Sequence, residues 1–150
     1  MSTSVFLSCD QGYAELLGAL NWATSPIAAC LVDAAAGASL VRTGANYGDI
    51  KGAGGAHIKA AIALPSPDVS VASEHVCFKH AKAMFTESGS LAGRYVVYVA
   101  GNHASLGDSD KVIGYVDLTG DGNVASVSAE FSFTPDATHG LFKIGRTVSL

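Results

Sequence analysis

The stretch Val124-Ala-Ser-Val-Ser-Ala-Glu-Phe-Ser-Phe133 decides the fold class. Val127, Ala129, Phe131 and Phe133 fall on one side of an extended chain, and Ser126, Ser128, Glu130 and Ser132 on the other. This period of two is that of a strand with one packed face and one wet face. Upstream, Arg94–Val99 (RYVVYV) and Val112–Leu118 are apolar on both faces, as strands buried in the middle of a sheet are. Ile27–Val32 reads as a further buried strand. In the run after Gly55, Ile58, Ala60, Ile62 and Leu64 share a face opposite His57, Lys59, Ala61 and Ala63, and Pro65 and Pro67 end that strand. Val69 and Val71 begin another, and Val76, Phe78 and His80 oppose His75, Cys77 and Lys79, with Met84 and Phe85 beyond. Roughly seven or eight short strands with frequent turn signals, and no strand–helix alternation, predict an antiparallel sandwich or barrel. The expected fold is all-β, an antiparallel jelly-roll-like β-sandwich, in a single domain over residues 1–150.

Two segments stand apart from this pattern. Tyr13, Leu16, Leu17 and Leu20 recur at helical spacing, which predicts one or two helical turns over Tyr13–Leu20, after an N-terminal arm of about residues 1–12. Between Ala34 and Gly55, glycines at 37, 44, 48, 52, 54 and 55 predict a long, extended loop. Ordered loops of that length are uncommon and usually serve a function or meet a partner.

Composition narrows the function. The chain has 150 residues, 15% of them charged, with 17 Gly and 24 Ala. Nine basic against 13 acidic residues leave a net charge of −4, which argues against a nucleic-acid binder that must neutralise phosphates. The first 41 residues hold no Lys or Arg, so no secretory signal is expected, and no run reaches the ~20 apolar residues that span a bilayer. Three cysteines at irregular spacing (Cys9, Cys30, Cys77) suit free thiols of a reducing compartment.

No catalytic constellation can be assembled. Asp117-Leu-Thr-Gly-Asp-Gly-Asn123 has the look of a calcium loop, but positions 3 and 12 are Thr119 and Ser128, so it reads as a tight hairpin turn. His75, Cys77 and His80 are possible zinc ligands, yet on a strand His80 points away from the other two and no second ligand pair exists. Lys51 is followed by Gly52, so the glycine stretch is no P-loop, and G-x-S-x-G is absent. The five histidines (57, 75, 80, 103, 139) are scattered, and nothing selects a carboxylate pair from the thirteen acids. Neither catalytic nor metal-binding nor cofactor-binding residues are expected. An exposed aromatic platform could hold a sugar; Trp22, Tyr13, Tyr47, Tyr95, Tyr98 and Tyr115 are its candidates, with Tyr95 and Tyr98 read as core and Tyr47 as the better contact.

The order of segments resembles that of small tailed-bacteriophage virion proteins. Ala14–Asp33 (AELLGALNWATSPIAACLVD) is similar to a recurring opening in which a short helix precedes a Trp- or Asp-bearing turn and then a strand. Tyr47-Gly-Asp-Ile and Gly54-Gly55 sit where that family has an acidic loop and a Gly-Gly. Arg94–Tyr98 with Val112–Asp117 resembles its paired strands, and Glu130–Phe133 with Gly140–Ile144 its C-terminal pattern. The departures are Thr-Gly-Asp-Gly in place of a longer hairpin and a weak central segment from Pro65 to Glu87.

The resemblance implies a non-enzymatic cement or decoration protein on the capsid surface, assembled in the host cytoplasm. Its partners would be the major capsid protein and further copies of itself, as a dimer or trimer. A tail structural protein and a carbohydrate-binding sandwich module are the alternatives. On the capsid reading, the arm and the glycine-rich loop reach across a seam, and Val5, Phe6, Leu7, Tyr47 and Ile50 are the expected contact residues.

Overall fold

A computed structural model describes residues 6–41, 43–72, 75–86, 91–118, 124–126, 130–137 and 140–145. The fold is all-β and antiparallel. Its centre is a five-stranded sheet of order β1-β9-β8-β2-β3, built from β1 (Phe6–Ser8), β2 (Ala28–Val32), β3 (Ile58–Ala63), β8 (Tyr95–Val99) and β9 (Val112–Asp117). Every residue of β2 and of β8 is buried, because both strands lie inside the sheet and carry apolar side chains on both faces.

The two faces of this sheet support separate cores. Cys30, Val32, Tyr95, Val97 and Tyr115 point to one, and Ala29, Leu31, Val96, Tyr98, Ile113 and Val116 to the other. Two register shifts adjust the alternation, one between Tyr98 and Val99 and one between Leu31 and Val32. The second leaves Lys59 as the extra residue of β3. Ile58 therefore packs in the first core while Ala60 and Ile62 pack in the second, so the single face expected for Ile58, Ala60, Ile62 and Leu64 is broken at Lys59.

The first core is roofed by residues 33–57, and here the expected extended loop is corrected. A 3-10 turn spans Ala34–Ser39, opened by the Asp33 carboxylate accepting from the Ala35 amide, and the helical turn α2 spans Tyr47–Ile50. Asn46 and Asp49 cap each other's backbone amides at the start of α2. Ala36, Leu40, Ala45 and Ile50 are buried beneath this roof. The segment is also tied to the sheet, with the Tyr47 amide donating to the Asp110 carbonyl and the Val112 amide to the Ala45 carbonyl. Glycine here gives compact turns and close packing rather than reach.

The second core is covered by a layer of short strands: β4 (Asp68–Ala72), β5 (His75–Lys79), β6 (Ala83–Thr86), β7 (Leu91–Gly93), β10 (Val124–Ser126), β11 (Glu130–Phe133) and β12 (Phe142–Gly145). They pair as β12-β5-β4, β11-β6 and β10-β7. The run Val124–Phe133, which reads as one strand, contributes two strands with different partners; residues 127–129 lie outside the described residues.

Of the expected N-terminal arm, residues 1–5 lie outside the described residues, and residues 6–12 pack on the body. Phe6, Leu7 and Ser8 pair with Val116, Tyr115 and Gly114 at the sheet edge. Helix α1 (Asp10–Leu17) follows, starting three residues earlier than the leucine spacing predicts. The Cys9 amide donates to the Ile113 carbonyl at 2.9 Å and turns the chain, and Gly12 lies so close to the Ile113 backbone that a Cβ there would collide with it.

Candidate interaction surface

Val69, Val71, Val76, Phe78 and Phe142 share one face of the three-stranded sheet, and the buried Cys77 lies on the other. Val69 pairs with Phe78, Val71 with Val76 and Phe142 with Phe78, so all five point the same way. At one end this face is sealed. Phe78 and Phe142 stack at 4.5 Å, Phe6 stacks on Phe142 at 4.6 Å, and Trp22 meets Phe78 and Phe142 edge-on at 5.9 and 5.5 Å. Trp22 Nε1 donates to the Lys79 carbonyl at 2.8 Å, which satisfies the indole in the seam between the layers.

Toward the edge strand β4 and the Val71–Val76 pair, the same face is left exposed. Val69, Val71 and Val76 are 39, 79 and 36% exposed, and Val71 and Val76 form an adjacent cross-strand pair. Isolated exposed valines are ordinary, but three on one sheet face at its edge make a contiguous apolar strip. Strand β4 is the edge of its sheet, so alternate backbone groups along Asp68–Ala72 project outward. The strip carries no charge. Chemically it can do one thing, which is to exclude water against another apolar surface.

The expected contact residues lie as follows. Val5 lies outside the described residues. Phe6 is half-buried in the aromatic stack, and Leu7, pointing to the opposite face, packs on the first core. Tyr47 is half-buried against that core, and burial raises its phenol above the usual value. Ile50 is 0% exposed, so as a contact residue it is corrected: it anchors α2 beneath the roof. Sequence reasoning passed over the Val69–Val71–Val76 strip. Its signal was present in the alternation of β4 and β5, but alternation does not say which part of a face is covered.

The remaining candidates sort in the same way. Trp22, Tyr95, Tyr98 and Tyr115 are all buried, so four of the six aromatics considered for a sugar platform face inward. The side chain of Tyr13 lies outside the described residues. Cys77 is fully buried and His80 has both ring nitrogens engaged, by the Ala81 carbonyl and the Tyr98 hydroxyl. Among the described residues no group of three His, Cys, Asp or Glu side chains is placed to hold a metal. The Asp117 carboxylate is gripped through both oxygens by Arg94 at 3.1 and 3.0 Å, and residues 119–123 of that turn are not described.

Among the described residues the nearest approach to a catalytic pair is Asp33, which takes His57 Nδ1 at 3.2 Å and Lys59 Nζ at 3.4 Å. That carboxylate also caps the Ala34–Ser39 turn, and the bulge at Lys59 brings the lysine to it. Among the clefts of the described residues, one of about 260 Å³ beside Pro26, Leu64 and Pro67 has His103 as its one titratable group.

Fold and surface together define an all-β, sandwich-like protein with a sealed double core and a partly uncovered sheet face. Comparison with protein-family models, with curated proteins and with solved structures returns no match. Among the described residues no helix is long and apolar enough to cross a membrane.

Proposed function

We propose that the chain is a structural virion protein of the cement or decoration type, which binds a phage capsid and stabilises it by bridging major capsid subunits without catalysing a reaction. The observation that carries this reading is the strip of Val69 and Val71 on the edge strand β4 and Val76 on its neighbour β5. An exposed apolar strip on an otherwise well-packed body suits a protein that completes its burial against a neighbour. The resemblance of its segment order to small phage virion proteins supplies the kind of neighbour. Exposed area on three valines is far below the ~800 Å² per partner of a standard interface, so a single contact through the strip is weak. Many copies on a closed shell convert weak contacts into firm attachment by avidity.

The carbohydrate-module alternative loses support from the inward placement of Trp22, Tyr95, Tyr98 and Tyr115. Mass spectrometry of particles purified from the encoding phage tests the proposal. The chain should be present in a fixed ratio to the major shell protein, and its consistent absence from purified particles would refute the reading.

A further inference from the structure

We propose that His80 is an acid-sensitive latch between the two β layers: in the neutral imidazole it holds the short-strand layer to the central sheet, and protonation releases that hold. His80 sits in the link between β5 and β6, is 8% exposed, and reaches across the seam to Tyr98 on β8. The hydrogen-bond partners fix its tautomer. The Ala81 carbonyl, 2.6 Å from Nδ1, can only accept, so Nδ1 carries the proton. Nε2 is then the acceptor, and the Tyr98 hydroxyl donates to it at 2.8 Å. Tyr98 is itself 0% exposed and burial holds its phenol neutral.

A second proton on His80 must go to Nε2, where it meets the Tyr98 hydroxyl proton. One of the two donors then has to turn away inside a buried seam. No carboxylate bonds either ring nitrogen among the described residues; burial outweighs the Ala81 carbonyl on Nδ1, which favours the imidazolium. From β8 the facing group is Tyr98, and from β11 it is the Phe133 ring at 6.4 Å, while Glu130 lies at the other end of that strand opposite Thr86. On the histidine's own segment Lys79 leans toward Gly140 and Lys82 is exposed. His75 stands at the far end of β5, opposite Ala72, and Asp68 opposite Lys79. Burial lowers the His80 value below its ordinary 6.5, in line with this environment.

The sign follows. The unfolded or opened chain takes up the proton first, near pH 6.5, and the folded chain only at lower pH. The latch is therefore at full strength above pH 6.5, weakens as pH falls toward the folded-state value, and is level below it. Within that window the folding constant changes by at most about tenfold per pH unit for this single proton. The reporter is built in, since Trp22 is the one tryptophan of the chain and its indole bonds the residue preceding His80.

The test is Trp22 emission of the full chain between pH 7.5 and 4.5, with urea unfolding at each pH, for the wild type and His80→Gln. Glutamine keeps a donor and an acceptor but does not titrate, and the other four histidines are common to both proteins. The wild type should show a red shift with a midpoint below 6.5, and an unfolding slope steeper than that of His80→Gln by up to about tenfold per pH unit. Should His80→Gln not fold, ring-nitrogen NMR of the wild type reads the same chemistry: Nδ1–H at pH 7.5, with His80 protonation tracking the Trp22 shift. Flat Trp22 emission, an identical acid step in His80→Gln, or an Nε2–H tautomer at pH 7.5 would overturn the latch.

Discussion

Replacing Trp22 with Phe probes the seam that holds the two layers together. The indole is 2% exposed, so the change acts in a packed interior. Two costs add. The smaller ring leaves a void of roughly 40 Å³, worth about 1 kcal/mol at the cavity coefficient measured for core truncations. The Lys79 carbonyl, now 2.8 Å from Nε1, loses its donor from the indole, and an unsatisfied buried acceptor costs about 1–3 kcal/mol. The edge-on contacts with Phe78 and Phe142 survive in weakened form, because phenylalanine keeps a ring at the site. The sum is about 2–4 kcal/mol. Urea unfolding followed by circular dichroism measures it, since the fluorophore is gone. With a slope of about 2 kcal/mol/M the midpoint should fall by about 1–2 M at unchanged slope. A loss below about 0.5 kcal/mol is the range of surface substitutions, and would refute the placement of Trp22 between the layers.

Three further predictions rest on single residues. Ile50→Ala should cost about 2–5 kcal/mol in urea unfolding, as a fully buried aliphatic does, whereas an Ile50 at a partner interface would cost little in the isolated chain. Gly114→Ala sets a Cβ against the Phe6 ring and the Leu7 carbonyl, so it should lift β1 from the sheet edge at a cost of about 1–3 kcal/mol; hydrogen exchange at residues 6–8 should speed up, and unchanged protection there would contradict the packing. Val71→Lys should leave stability within about 0.5 kcal/mol while lowering occupancy on particles, and equal occupancy of mutant and wild type in mixed assembly would remove the strip from the interface.

The placement of β1 changes how the N-terminus is tested. Deleting the first nine residues removes Phe6 from its stack with Phe142 and uncovers the edge of β9. Lost attachment after such a deletion would therefore report lost folding. Val71→Lys avoids that difficulty.

What the sequence made legible was burial on both faces. β2, β8 and β9 stand out because a strand inside a double-cored sheet has no wet side to encode. The antiparallel, all-β character followed from these runs and from the short alternating segments around them. Less legible was anything set by a single inserted residue or by a partner distant in the chain. The extra residue Lys59 turns Ile58 to the other face, and no local pattern marks it. Residues 34–55 look loose because alanine and glycine carry little hydrophobic signal, yet Ala36 and Ala45 are 2% exposed under the roof they help form. The sequence could name Val69, Val71 and Val76 as strand residues but not as exposed ones, because coverage depends on partners distant in the chain.

A cryo-EM map of purified particles would show whether the chain completes its apolar surface against a capsid neighbour, as proposed. Density for the chain should lie over capsid subunit boundaries, with Val69, Val71 and Val76 of the β4–β5 hairpin against the shell protein. Density elsewhere on the particle, or bound density with that hairpin turned to solvent, would contradict the proposal.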